Sequence, residues 1–219
     1  MAELRTEEEQ LDAIKRWWKE NGISLIAGVA IAGAGILGWN TWQDYQANEA
    51  EAASMRYQQL INLTAGTEPD EASIGQAREL VVEIIDNHGK TLYADLARLI
   101  DARLAVAQGD QVGARDALEA VLDASDRDYV QGVARLRLSR LLIADGDPEA
   151  AISMLETGIP DSLAAERANV RGDAHHALGN DDDANDAWQE ALSLSEARDQ
   201  PLYGVQLKLD NLGYEEATL

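Results

Sequence analysis

No charged residue occurs between Asn21 and Gln43, a run of 23 positions whose centre, Ile23 to Trp39, is Ile, Leu, Val, Ala and Gly with one Ser. A helix needs about 20 such residues to cross a hydrocarbon layer roughly 30 Å thick. Trp17 and Trp18 precede the run, and Trp39, Trp42 and Tyr45 close it. Trp18 and Trp39 lie about 31 Å apart at the helical rise, which suits two interfacial belts. A soluble core helix of this length would carry a polar face. A cleaved signal peptide is the other alternative, since Ala50 and Ala52 have the small-x-small spacing. The run is longer than a usual signal core, however, and six acidic residues precede it. An uncleaved membrane helix over residues 21–43 is the expectation, with a leader over 1–20 and a separate domain over 44–219.

Orientation is read from Lys and Arg, because acids contribute little to it. Arg5, Lys15, Arg16 and Lys19 stand before the run, whereas only Arg56 falls in the first twenty residues after it. The N-terminus is therefore expected in the cytoplasm and the large domain outside it. In the leader, Thr6 and Glu9 have capping-box spacing, and Leu11, Ile14 and Trp18 share one helical face. Within the span, Ala30, Ala34 and Gly38 recur every fourth residue, as do Gly28 and Ala32. Small residues in such ridges let another helix approach closely, so Ala30, Ala34 and Gly38 form a candidate packing face.

Beyond residue 43 the sequence reads as helices separated by Gly, Asp and Pro, with no alternating strand pattern. Three turns, Gly109-Asp110, Gly146-Asp147 and Gly179-Asn180, are spaced 37 and 33 residues apart. Five residues after each glycine stand Ala114, Ala151 and Ala184; nine after stand Leu118, Leu155 and Trp188. Two before are Ala107, Ala144 and Ala177, and seven before are Ala102, Ser139 and Gly172. These columns resemble the tetratricopeptide repeat, in which small residues let paired helices cross closely and a larger one fills the gap to the next pair. The aromatic residues of that pattern's first helix are replaced in every copy, so the repeats are degenerate. A weaker pair is expected at 47–63 and 70–85 around Gly66-Thr67-Glu68-Pro69, and a capping helix at 202–214. The fold class is thus all-α, one N-terminal transmembrane helix followed by a helical-repeat solenoid.

The first helices of such a stack line its concave face. The register places Leu99, Arg103, Val106, Leu136, Arg140 and Ile143 there, a candidate groove for an extended peptide or helix. Alternatively, the arginines pair with neighbouring acids such as Asp101 or Glu119. Forty acids against 18 Lys and Arg give a net charge of −22, which disfavours nucleic acid, a partner that demands a basic face.

Chemistry is harder to find. Without cysteine there is neither disulfide nor thiol reactivity. Adjacent His175 and His176 point about 100° apart on a helix, whereas helical zinc pairs use i, i+4 spacing. Asp181, Asp182 and Asp183 lack the alternation and glycine of a calcium loop and suit a helix N-terminus instead. In Arg171-Gly172-Asp173 the glycine falls on the small-residue column and is read as packing. No nucleophile, base and orienter can be assembled, and neither enzyme activity nor a cofactor is expected.

The leader Gln10-Leu11-Asp12-Ala13-Ile14-Lys15-Arg16-Trp17-Trp18-Lys19-Glu20-Asn21-Gly22, the glycine-rich span ending in Gly38-Trp39, the degenerate repeats and the tail Lys208-Leu209-Asp210-Asn211-Leu212 together resemble the YfgM family of ancillary SecYEG translocon subunits. The resemblance extends over essentially the whole chain, and its most specific part is the leader. It implies a bacterial inner-membrane protein with a periplasmic repeat domain, associated with SecYEG and with the membrane-anchored chaperone PpiD. Its clients would be nascent secreted or outer-membrane proteins. The competing expectation is a membrane-anchored repeat scaffold for another cell-envelope assembly complex.

Overall fold

The computed structural model describes residues 7–65 and 70–213. Thr6 of the expected capping box, the Gly66-Thr67-Glu68-Pro69 turn and Tyr214 at the end of the expected tail helix lie outside the described residues. All regular structure among the described residues is helical. α1 spans Glu7–Thr64, α2 Glu71–His88, α3 Leu92–Ala107 and α4 Gln111–Ala124. Then follow α5 Asp128–Ala144, α6 Pro148–Leu155, α7 Ala164–Ala177, α8 Asp181–Ala197 and α9 Val205–Asn211, with a 3-10 turn at Asp161–Leu163. The chain divides into two compact units, 1–51 and 52–219, and α1 contributes residues to both.

In the first unit the apolar run is bare. Its best 18-residue window has a mean hydropathy of 1.8 and is only 6% buried, the opposite of a soluble core helix. Side chains such as Ile23, at 84% exposed, have no protein around them. The polar side chains at the ends of the run bond along the helix: Asn21 Nδ2 donates to the Trp17 carbonyl at 3.0 Å and Thr41 Oγ1 to the Leu37 carbonyl at 2.9 Å. Hydrocarbon offers no other partner, so such internal satisfaction is what a spanning helix requires.

In the second unit the Gly-Asp turns act as combined stop and start signals. Gly109, Gly146 and Gly179 hold φ of 74°, 85° and 75°, a left-handed conformation that costs residues with a Cβ about 1–2 kcal/mol. The amide of Gly109 donates to the Val106 carbonyl and that of Asp110 to the Ala105 carbonyl. Gly146 and Asp147 make the same pair to Ile143 and Leu142, and Gly179 and Asn180 to His176 and His175. Each is a Schellman closure, which consumes the last carbonyls of one helix. The residue after the glycine then opens the next. Asp110 and Asp147 accept from the Gly113 and Ala150 amides at 2.9 and 3.2 Å. Asn180 occupies the same position without a side-chain bond, and Asp181, Asp182 and Asp183 fill the first turn of α8, as expected.

The packing columns follow from these turns. Ala114, Ala151 and Ala184 are fully buried, and Leu118, Leu155 and Trp188 are 2%, 3% and 2% exposed. Ala102, Ser139 and Gly172 are buried as well. A Cβ on Gly172 would overlap the Trp188 indole, so this glycine serves close helix packing, as its place in the column suggested. Ala107, Ala144 and Ala177 are exposed; that column marks the last turn of each first helix. At the C-terminal end, Val205 and Leu209 of α9 pack with Trp188, Ala168, Ala184 and Ala191. The tail helix covers the last repeat.

Candidate functional site

The candidate groove residues do not all share one surface. Arg103, Val106 and Arg140 line a cavity of about 480 Å³ between α3, α4 and α5. Leu99 and Leu136 are not part of it. Leu99 is 6% exposed and packs with Leu118, Val121, Val130 and Leu138; Leu136 is 3% exposed and packs with Leu155, Ile159, Leu163 and Val170. α5 buries apolar residues on more than one side, meeting the preceding pair through Leu138 and the following one through Leu136. Ile143 is partly buried against Ala151 and Ala174. A first helix sandwiched between repeats therefore leaves a narrower free strip than repeat register alone indicates.

The strip that remains is chemically distinctive. Leu118, Val106 and Leu141 supply apolar surface, Ala102 and Ala144 keep it open, and Arg137 joins Arg103 and Arg140 at its mouth. Arg137 was not among the sequence candidates. It lies three residues before Arg140, so the helical period alone places it on the same face. Arg103 donates to the Thr64 carbonyl at 3.2 Å, at the C-terminus of α1, and Arg137 to the Leu99 carbonyl at 2.9 Å. Arg140 makes no hydrogen bond or ion pair among the described residues. The acids suggested as local partners are elsewhere: Asp101 pairs with Arg78 at 3.7 Å, and Glu119 pairs with none of the three. Partial burial lowers the pKa of Arg137, and repulsion from Arg140 and Arg103 lowers it further, opposed by Tyr57. Burial also lowers that of Arg140, opposed by the fields of Asp173 and Glu166 on α7. Tyr57, its ring centroid 5.6 Å from that of Tyr93 with the planes tilted by 46°, has its phenol pushed up by burial against the pull of Arg103 and Arg137. Arg137 thus feels the charge of both Arg103 and Arg140 over an apolar floor.

His175 and His176 face carboxylates on α8. His176 Nδ1 is 2.9 Å from Asp181 Oδ1 and His175 Nδ1 is 3.8 Å from Asp183 Oδ2. Among the described residues no three His, Asp or Glu side chains converge as metal ligands would. Ala30, Ala34 and Gly38 lie on the exposed apolar stretch of α1, where a Cβ added to Gly28 or Gly38 would meet nothing within 4 Å.

The described residues make a helical-repeat domain preceded in sequence by one helix long and apolar enough to cross a membrane. A family model for the tetratricopeptide repeat-like domain matches residues 15–214. The chain is 32% identical over 213 residues to the ancillary SecYEG translocon subunit of Aggregatibacter actinomycetemcomitans, covering 97% of this chain and 100% of that one. The Haemophilus influenzae protein of the same name is 30% identical over the same shares, and that of Escherichia coli 30% identical over 94% of this chain and 96% of its own. The chain belongs to the family of tetratricopeptide repeat-like ancillary SecYEG translocon subunits.

Proposed function

We propose that this protein is an ancillary subunit of the SecYEG translocon in a bacterial inner membrane, acting by protein binding and not by catalysis. Its leader lies in the cytoplasm, residues 21–43 span the bilayer, and the repeat domain stands in the periplasm. There it links the translocon to periplasmic chaperones, PpiD among them, and passes newly translocated secreted and outer-membrane proteins onward. The observation that carries this reading is end-to-end similarity to three proteins bearing the ancillary-subunit name, leader and span included. The excess of Lys and Arg before the span supports the orientation. The bare ridge of Ala30, Ala34 and Gly38 supports a helix-packing role within the bilayer.

Two surfaces then have separate duties, and photocrosslinking in membranes separates them. A photoreactive residue at Ala34 is expected to capture SecYEG subunits, and one at Arg140 to capture PpiD or chains in transit. If both positions capture only copies of the protein or an unrelated envelope complex, the translocon assignment is wrong.

A further inference from the structure

The chemistry of the cavity between α3, α4 and α5 selects among peptide partners. The chain has 18 Lys and Arg among 40 acids, so random placement would give most guanidiniums an acidic neighbour. Several behave that way: Arg56 pairs with Glu83 at 2.9 Å, Arg115 with Asp145 at 2.8 Å, and Arg127 with Asp95 at 2.9 Å. Arg103, Arg137 and Arg140 do not. None forms an ion pair among the described residues, and two spend one donor each on a backbone carbonyl. A guanidinium has five N–H donors, so most of their capacity faces the cavity mouth or solvent. Of the two acids whose fields reach Arg140, Asp173 is already engaged by Lys208 and by the Trp188 indole N–H, while Glu166, with Oε2 buried and lacking a hydrogen-bond partner, forms no ion pair with it among the described residues. Clustering three like charges raises the free energy of the empty site, and an arriving anion relieves that repulsion. The floor of Val106, Leu118 and Leu141 adds a seat for one large apolar side chain.

We infer that this cavity binds a peptide segment in which carboxylate side chains flank a large aliphatic or aromatic one. The carboxylates meet Arg103, Arg137 and Arg140, and the apolar side chain covers Val106, which is 51% exposed. This specifies the partner chemistry of the repeat domain and rests on the protein-binding role proposed above. The same arrangement discriminates against basic peptides, which the rest of this strongly acidic surface attracts without selectivity. A bidentate carboxylate contact also favours arginine over lysine at these positions.

Fluorescence anisotropy with the full chain in detergent tests the inference. The probes are labelled peptides of about eight residues alternating Asp with Leu, the same peptide with Asn for Asp, and the same with Lys for Asp. The Asp peptide is expected to bind at least about tenfold more tightly than the Asn peptide, and the difference should shrink as salt rises. Arg140→Gln should remove most of that preference, and Arg140→Lys should restore only part of it. Because Arg140 makes no hydrogen bond or ion pair among the described residues, circular dichroism should show these variants folded. Equal binding of the Asp and Asn peptides to the unaltered chain overturns the inference without any variant. So does an Asp preference unchanged in Arg140→Gln, or Lys-peptide binding that weakens when Arg140 is replaced. Translocon capture from Ala34 is scored separately. If it persists while the Asp preference is absent, only the cavity chemistry is wrong. If the preference is present while no SecYEG is captured, the cavity inference stands and the translocon assignment fails.

Discussion

Replacing Trp188 by alanine is expected to destabilise the repeat domain by about 3–5 kcal/mol, the usual cost of emptying a large aromatic site in a packed core. Trp188 is 2% exposed and belongs to a cluster that joins α7, α8 and α9 through Ala168, Ala184, Ala191, Val205 and Leu209. Its indole N–H is shared between the Asn169 carbonyl at 3.2 Å and Asp173 Oδ1 at 3.1 Å. Lys208 Nζ lies 5.5 Å from the ring centroid, adding a cation–π contact across to α9. The close approach of Gly172 gives the cavity left by alanine little freedom to collapse, because the α7 backbone is already against the ring. Urea denaturation of the full chain in detergent, followed by far-ultraviolet circular dichroism, should show a lower midpoint. Hydrogen exchange should localise the loss to residues 164–211, since repeat stability is summed from near-neighbour interfaces. Trp188→Phe, which keeps most of the volume and loses the N–H, should cost less. A Trp188→Ala midpoint equal to that of the unaltered chain would show that the last repeat does not rest on this side chain.

The second large effect belongs to a buried carboxylate that repeat columns do not mark. Asp95 on α3 is 1% exposed. It accepts from Ser125 Oγ at 2.7 Å and Arg127 at 2.9 Å, with Arg98 at 3.4 Å. Ser125 and Arg127 sit in the connection between α4 and α5, so one side chain fixes that crossing to the start of α3. Asp95→Ala is expected to cost about 2–3 kcal/mol, below the roughly 3–5 kcal/mol seen when a fully buried pair is broken. The reduction follows from Arg127, whose side chain is 37% exposed and can turn to water, whereas Arg98 at 11% and Ser125 cannot readily do so. A double-mutant cycle with Arg127→Gln should return a coupling well above the few tenths of a kcal/mol typical of distant sites. Loss of under about 0.5 kcal/mol in Asp95→Ala, the range of ordinary surface substitutions, would contradict a structural role for this network.

These two residues also show what sequence alone could convey. Trp188 stood in a column nine residues after a glycine, and that glycine was conspicuous because the left-handed end of a helix excludes almost every other residue. Turn, cap and packing column are set by local chemistry repeated at a fixed interval, so the helical repeats, their boundaries and the tail helix were legible. So was the apolar run, whose length and flanking tryptophans need no tertiary information. Asp95 was not legible, because Ser125 and Arg127 come from some thirty residues away and an acid beside an i+3 arginine on a helix reads as surface. The cavity was legible in part. Arg103 and Arg140 follow from the helical period, and Arg137 was available from the same spacing. Leu99 and Leu136 were assigned to the open face because register gives an angle about the helix axis. It does not give the width of the arc that two neighbouring helix pairs cover, and α5 is covered on both sides.

The absence of cysteine makes the orientation directly measurable, since any introduced thiol is the only one in the chain. Tyr203, 89% exposed near the start of α9, and Asp12, whose side chain is 72% exposed in the leader, are suitable positions. Intact cells stripped of their outer membrane would carry Tyr203→Cys or Asp12→Cys and be treated with a membrane-impermeant maleimide. Labelling of Tyr203→Cys, with Asp12→Cys labelled only after the inner membrane is opened, is the result expected of a repeat domain held in the periplasm by one span. Labelling of Asp12→Cys in closed cells, with Tyr203→Cys protected, would place the repeat domain in the cytoplasm and contradict a role in receiving translocated chains.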